Sequence, residues 1–198
     1  MGPALCLLEL SSIAKGIEAG DAMVKRAPLE LIRAGTVHPG KYLVLVGGLT
    51  ADVEEALDAG RETAGTSLVD VVFLPDVHPD VMASIGGVRR EDHREAIGVI
   101  EASTAAATID AADAGVKGAR VTIRDLRLAD DLGGKGYVIF GGELAEVEAA
   151  IGYGIDRAAG PGRDVTHVVI AHVHAEMDEN LVAEPRFKQR IAGVEKGG

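Results

Sequence analysis

The chain has 198 residues, 47% of them hydrophobic but only 3% aromatic, with no tryptophan and a formal net charge of −11. So acidic a chain lacks the clustered cations that hold phosphates, and so few rings give no base-stacking platform, which argues against a nucleic-acid partner. No apolar run approaches the roughly 20 residues that span a bilayer, no basic start marks a signal peptide, and the single cysteine, Cys6, has no intrachain partner. A protein of a reducing, cytoplasmic compartment with no membrane contact is the expectation.

Ala4–Leu10 is a short apolar run and predicts a buried strand, with Cys6 inside it as a small hydrophobe. Ser11 and Ser12 are N-cap candidates for a helix whose predicted inner face carries Ile13, Ile17, Gly20 and Val24. Leu29–Ile32 and Tyr42–Val46 predict a second and a third strand with Val37–Lys41 between them. Gly47-Gly48 turns the chain into a second helix, capped by Thr50, acidic in its first turn and buried along Val53, Leu57, Gly60 and Ala64. Leu68–Leu74 predicts a fourth strand and Pro79–Ile85 a short helix.

The pattern then recurs. Ile97–Ile100, Val121–Leu128, Tyr137–Phe140 and Val165–Val173 predict strands, and Ile109/Ala112/Val116 and Val147/Ile151/Gly154 mark helix faces. Ala4–Ala27 aligns without a gap on Ala96–Ala119, sharing Glu9/Glu101, Ser11/Ser103, Asp21/Asp113, Val24/Val116 and Lys25/Lys117; Val44–Leu57 aligns on Val138–Ile151. Two copies of a βαββαβ unit are too few for a solenoid and fit pseudo-equivalent neighbours in a symmetric assembly. The fold class is therefore α/β (α+β): two tandem ferredoxin-like units, each a four-stranded, largely antiparallel sheet with two helices on one face. The expected boundaries are 1–86 for domain 1, 87–94 for a polar linker, 95–176 for domain 2 and 177–198 for a polar tail.

The residues that recur, ALxxxE, a helix ending DAxxKxA, and a Gly-bearing loop before an apolar strand and Gly-Gly, resemble the bacterial microcompartment (BMC) shell domain. Two unpermuted copies resemble the trimeric tandem-domain class. Glu9–Lys25, Pro39–Lys41 and Gly133–Gly136 are similar to the trimeric shell proteins of propanediol-utilisation compartments that carry an Fe–S cluster. The resemblance implies a structural, non-enzymatic shell protein. Three chains would form a pseudohexamer that tiles the facet with hexameric and pentameric shell proteins around encapsulated enzymes, and small metabolites would cross its central pore.

By the same resemblance, His38, Pro39 and Gly40 in the first copy and Gly134, Lys135 and Gly136 in the second line the pore. Lys25, Lys117, His78 and His174 fall at the tile edge. The arginine of the family's edge signature is absent from both copies: Asp76 and His172 stand in its place. His38 stands where the Fe–S-carrying relatives have cysteine, and with Cys6 as the only thiol a three-cysteine cluster is not expected. Three symmetry-related copies of His38 could instead hold a borderline metal at the threefold axis, act as a pH-sensitive gate, or merely set the polarity of the rim. Lys135 either adds positive charge to that rim or pairs with Asp130 or Asp131. No cofactor is otherwise expected.

Three rival readings remain. One is a metal- or redox-conducting pore. Another is a small metal-dependent enzyme built on His172-x-His174, which a strand would place on one face, with Glu176 and Asp178 nearby. The third is a ferredoxin-like regulatory domain that binds an effector between subunits. Gly133–Gly136 lacks the spacing and the following hydroxyl residue of a phosphate loop.

Overall fold

The computed structural model describes residues 3–91, 95–183 and 186. The first unit runs β1 (Ala4–Leu10), α1 (Ile13–Arg26), β2 (Leu31–Val37), β3 (Lys41–Gly48), α2 (Thr50–Ala64) and β4 (Leu68–Leu74). Helix α3 (Pro79–Ile85) leads to the second unit: β5 (Ala96–Ala102), α4 (Ala105–Gly118), β6 (Thr122–Leu128), β7 (Gly136–Gly142), α5 (Leu144–Ala158) and β8 (Val165–Ile170). Helix α6 (Ala175–Val182) follows. The sheets have the same order, β2-β3-β1-β4 and β6-β7-β5-β8, and every pairing is antiparallel.

Alternation along β1 explains its complete burial. Ala4, Cys6, Leu8 and Leu10 join Ala19, Met23, Val53, Ala56 and Leu57 beneath α1 and α2. Leu5 and Leu7 point to the opposite face and join a cluster that continues into the second unit through Ala105, Ile109 and Val116. The two helices of each unit meet at a glycine. A Cβ on Gly60 would lie 2.8 Å from Leu8 Cδ2 and Met23 Sδ, and one on its counterpart Gly154 would lie 3.1 Å from the Ala111 carbonyl.

Several elements differ from the sequence expectation. The second strand is Leu31–Val37, displaced from Leu29–Ile32, because its ladder with β3 runs on to Val37↔Lys41. Leu49, not Thr50, is the N-cap of α2; the Thr50 hydroxyl instead donates to the Pro75 carbonyl. Ser12 does cap α1, accepting from the Lys15 N–H. Within the chain α1 buries Gly16, Ala19, Gly20 and Met23, so of its expected inner face only Gly20 is buried, and Ile13, Ile17 and Val24 are exposed. β8 stops at Ile170, so 171–174 are not strand.

The two units join through α4, which packs on β4, and α3, which packs on β6. Polar contacts fix that junction. The Glu9 carboxylate accepts from the Ala105 N–H (2.9 Å), the His78 N–H donates to Asp113 (2.8 Å), and Lys117 donates to Asp113 and to the Asp76 carbonyl. Arg163 clamps Asp70 through two nitrogens, each 2.8 Å from a carboxylate oxygen, and bonds Asp110 at 3.1 Å. Of the expected linker, 92–94 lie outside the described residues. Arg89 ties that connection to the end of α6, donating to the carbonyls of Leu181, Val182 and Ala183, while Arg124 holds Asp178 at 2.7 Å. The expected tail beyond α6 lies outside the described residues apart from Ala183 and Arg186.

Candidate functional site

The connections between the second and third strands of the two units come together. The first is short, His38–Gly40, because the hairpin closes with Gly40 at φ 105° and its N–H bonded to the Val37 carbonyl. The second spans 129–135 and turns through Gly133 and Gly134, both at positive φ. A Cβ on Gly134 would meet Pro39 Cδ at 3.1 Å, Lys41 Nζ at 3.2 Å and the His38 carbonyl at 3.4 Å. The bare backbone of Gly134 is therefore what lets the two loops lie against each other. Gly136, assigned to the loop by resemblance, is the first residue of β7 and is buried.

The lysines beside the loops are neutralised by carboxylates on the neighbouring strand of the same sheet. Lys41 pairs with Glu9 at 2.6 Å, and its counterpart Lys135 pairs with Glu101 at 2.7 Å. The partner of Lys135 is thus Glu101 and not Asp130 or Asp131, because each lysine lies two residues before the residue opposite that carboxylate in the ladder, Leu43 opposite Glu9 and Tyr137 opposite Glu101, and so reaches it diagonally. His38 Nδ1 lies 3.9 Å from Asp130 Oδ1, both side chains exposed. His38, Asp130 and Asp131 can bring one ligand atom each within 4.8 Å of one another, the one such group among the described residues. A cavity of about 340 Å³ beside it is lined by Ile13, Thr36, Val37, His38, Gly40 and Asp130.

An Fe–S cluster does not fit this donor set. The only thiol, Cys6, is buried in β1, and burial pushes its pKa up to about 12, against a smaller lowering by Arg61. The His172/His174 pair does not form a strand-borne metal face either. His174 caps α6, its Nδ1 accepting from the Glu176 N–H, and Asp178 turns to Arg124. His78 does the same for α3, accepting from the Asp80 N–H. Lys25 pairs with Asp21 at 2.5 Å on the exposed end of α1, whereas its counterpart Lys117 reaches the β4–α3 turn. The capping roles of the histidines and the link between the two loops were not read from the sequence. The signal for the caps was a histidine two residues before an acidic residue at each helix start.

Two tandem βαββαβ units, joined through helix and sheet edge, with loops converging and no strand-borne catalytic constellation among the described residues, define a class of paired self-packing domains. The chain belongs to the BMC domain family, whose model matches residues 4–77 and again 96–173. It is 39% identical over 182 residues to the bacterial microcompartment shell protein PduT of Citrobacter freundii, covering 92% of this chain and 99% of that one. It is 37% identical over 89 residues to the carboxysome shell protein CsoS1 of Prochlorococcus marinus, covering 43% of this chain and 86% of that one. A crystal structure of a microcompartment protein from Desulfitobacterium hafniense superposes with a TM-score of 0.78 at 37% identity, over 90% of this chain and 99% of that one. No helix among the described residues is long and apolar enough to cross a membrane.

Proposed function

We propose that this chain is a structural, non-enzymatic component of a bacterial microcompartment shell. Three copies close into a pseudohexamer, tile a facet beside hexameric and pentameric shell proteins, and leave a central pore for small metabolites. The observation that carries the reading is the pairing of the loops. Gly134 lies against His38 and Pro39 although they come from different units, which supports a shared pore rim for His38–Gly40 and Gly134–Lys135. The likeness to named shell proteins over nearly the whole chain supports it. Lys25 and Lys117, near the ends of equivalent helices, fit the role of tile-edge contacts, with His78 and His174 holding the adjacent turns. The domains on this reading are 1–86 and 95–176.

Light scattering of the purified protein tests the assembly, and electron microscopy of concentrated samples tests the tiling. A three-chain particle that forms flat sheets is expected. A particle that stays a single chain at every concentration would sink the reading.

A second reading adds a metal at the pore. The grouping of His38 with Asp130 and Asp131 favours it, since one imidazole and two carboxylates suit a borderline divalent cation. Titration with zinc, followed by calorimetry on wild type and His38→Ala, decides this. Equal heats in both proteins would remove the metal and leave a passive pore.

A further inference from the structure

We infer that the cavity between the end of α3 and β6 binds a small phosphate-bearing metabolite, one per chain. The site uses none of the pore-loop residues and does not depend on how the chains assemble. Its volume is about 370 Å³, and Arg89, Arg127 and Arg186 line it against a single carboxylate, Asp125. In a chain of net charge −11, such a surplus of cations around one hollow is a local reversal of sign.

The carboxylate is already engaged. The Asp125 side chain is 4% exposed; one oxygen accepts from the Tyr137 hydroxyl at 2.7 Å, and the other pairs with Arg89 Nε at 3.1 Å. Arg89 is locked in turn, its terminal nitrogens donating to the carbonyls of Leu181, Val182 and Ala183. Arg127 is different. It forms no ion pair among the described residues, and its guanidinium bond to the Asp130 carbonyl is long, 3.4 Å. Ser84 is 6% exposed, yet its hydroxyl has no hydrogen-bond partner among the described residues. A buried hydroxyl and a guanidinium with unused N–H groups, on the wall of one cavity, call for an acceptor that the chain does not provide.

The charge and the walls define that acceptor. Three guanidiniums and one carboxylate leave two positive charges, which match the roughly two negative charges of a phosphate monoester at neutral pH. A guanidinium fork also suits two phosphate oxygens at once. Ile85 and Leu128 give the same cavity an apolar side, and its volume exceeds what an inorganic phosphate fills. The ligand is therefore a phosphate head on a short, largely apolar body.

Only the second unit builds this site. A bulge in β6 between Ile123 and Asp125 inserts Arg124, which turns to Asp178 on α6. Beyond it Asp125 and Arg127 lie opposite Ile139 and Tyr137, whereas β2 has Arg33 and Gly35 at the equivalent places, opposite Leu45 and Leu43. Gly87, at φ 92°, turns the chain out of α3, and the Arg90 N–H donates to the Arg124 carbonyl at 3.0 Å, which sets Arg89 beside Asp125.

Calorimetric titration of the wild-type protein with n-butyl phosphate, at fixed ionic strength, tests the site, with butyrate and inorganic phosphate run beside it. Saturable heat at one site per chain is expected for butyl phosphate, with weaker binding of inorganic phosphate and none of butyrate. The thermal midpoint should rise with butyl phosphate concentration. Arg127→Gln should weaken binding by more than about tenfold and Ser84→Ala by about tenfold, each with native circular dichroism. Arg120→Gln removes the same charge at a side chain 87% exposed and outside the cavity, and should leave the affinity unchanged. No saturable heat in the wild type, or equal affinity in Arg127→Gln, would overturn the site. A loss in Arg120→Gln as large as in Arg127→Gln would overturn it too, as diffuse attraction to surface charge. Butyrate binding as tightly as butyl phosphate would overturn the phosphate head, and inorganic phosphate binding as tightly would overturn the apolar body.

Discussion

The Glu9 carboxylate, fully buried, takes the N–H of Ala105 at 2.9 Å on one oxygen and the Lys41 ammonium at 2.6 Å on the other. One side chain of the first unit thereby satisfies the first turn of a helix in the second, where four N–H groups otherwise lack partners. It also joins the loop-bearing strand β3 to the domain junction. Removing a buried charge that holds two partners is costly, because the partners stay behind unpaired.

Glu9→Ala is therefore expected to destabilise the chain by about 3 kcal/mol. Glu101→Ala, at the equivalent but half-exposed pair, should cost the single chain no more than ~1 kcal/mol. Urea unfolding at a concentration where the chain is dissociated measures both. Equal costs would show that the burial of Glu9 contributes nothing.

Much of this architecture was legible in the sequence because the repeat doubled every signal. Glu9/Glu101, Lys25/Lys117 and the Gly-Gly after the third strand placed the strands, helices and loops of both units, and the βαββαβ pattern gave the antiparallel sheets with helices on one face. The exposed face of α1 was not legible. Ile13, Ile17 and Val24 are apolar at helical spacing, which periodicity reads as core. Within the chain, though, the small residues Gly16, Ala19 and Gly20 let α1 sit close on β3, where a Cβ on Gly16 would lie 2.6 Å from Tyr42 Cβ, and the larger residues face outward. Periodicity reports that a face is apolar, not which neighbour covers it. The Lys135–Glu101 pair was missed for a related reason: its partner lies across the ladder rather than along the loop.

Glycine at the helix crossings gives a paired test. Gly154→Ala would set a methyl 3.1 Å from the Ala111 carbonyl and closer still to Ile100, and backbone cannot yield as a side-chain tip can. It should cost about 1–3 kcal/mol. Gly152, in the same helix α5, has no atom within 4 Å of the added position. Gly152→Ala should gain about 0.5–1 kcal/mol from helix propensity alone. Thermal melts of the two variants beside wild type check this, and a stabilised Gly154→Ala would contradict the close crossing.

Cys6 should be chemically silent while the fold persists. Its thiol is buried in β1, and desolvation pushes its pKa up to about 12, so little thiolate forms at neutral pH and no reagent reaches it. Native protein at about pH 8 should release no thionitrobenzoate from Ellman's reagent, and one equivalent after unfolding in guanidinium. Rapid reaction in the native state would place Cys6 outside the core.

The arginine clamp serves two carboxylates at the junction of the units. Arg163 is 14% exposed at its side chain and serves both Asp70 and Asp110, which are 12% and 8% exposed. Arg163→Gln leaves both without their shared cation and should cost about 3 kcal/mol. At Asp110 desolvation by burial outweighs the lowering by Arg163 and Arg157, so its pKa is raised. A carboxylate whose folded pKa lies above its unfolded value binds its proton more tightly in the native state. Its contribution to stability is complete below the unfolded pKa and is lost as pH rises through the folded one. Asp110→Asn, which fixes the neutral form, should therefore be tolerated at neutral pH far better than Arg163→Gln. It should also flatten the part of the stability profile that falls as pH rises through the carboxylate range. Urea midpoints for both variants, taken across that range, decide the matter. If Asp110→Asn proves as costly at neutral pH as Arg163→Gln, the ion pair outweighs the burial penalty, and Asp110 stabilises the fold as a carboxylate rather than as an acid.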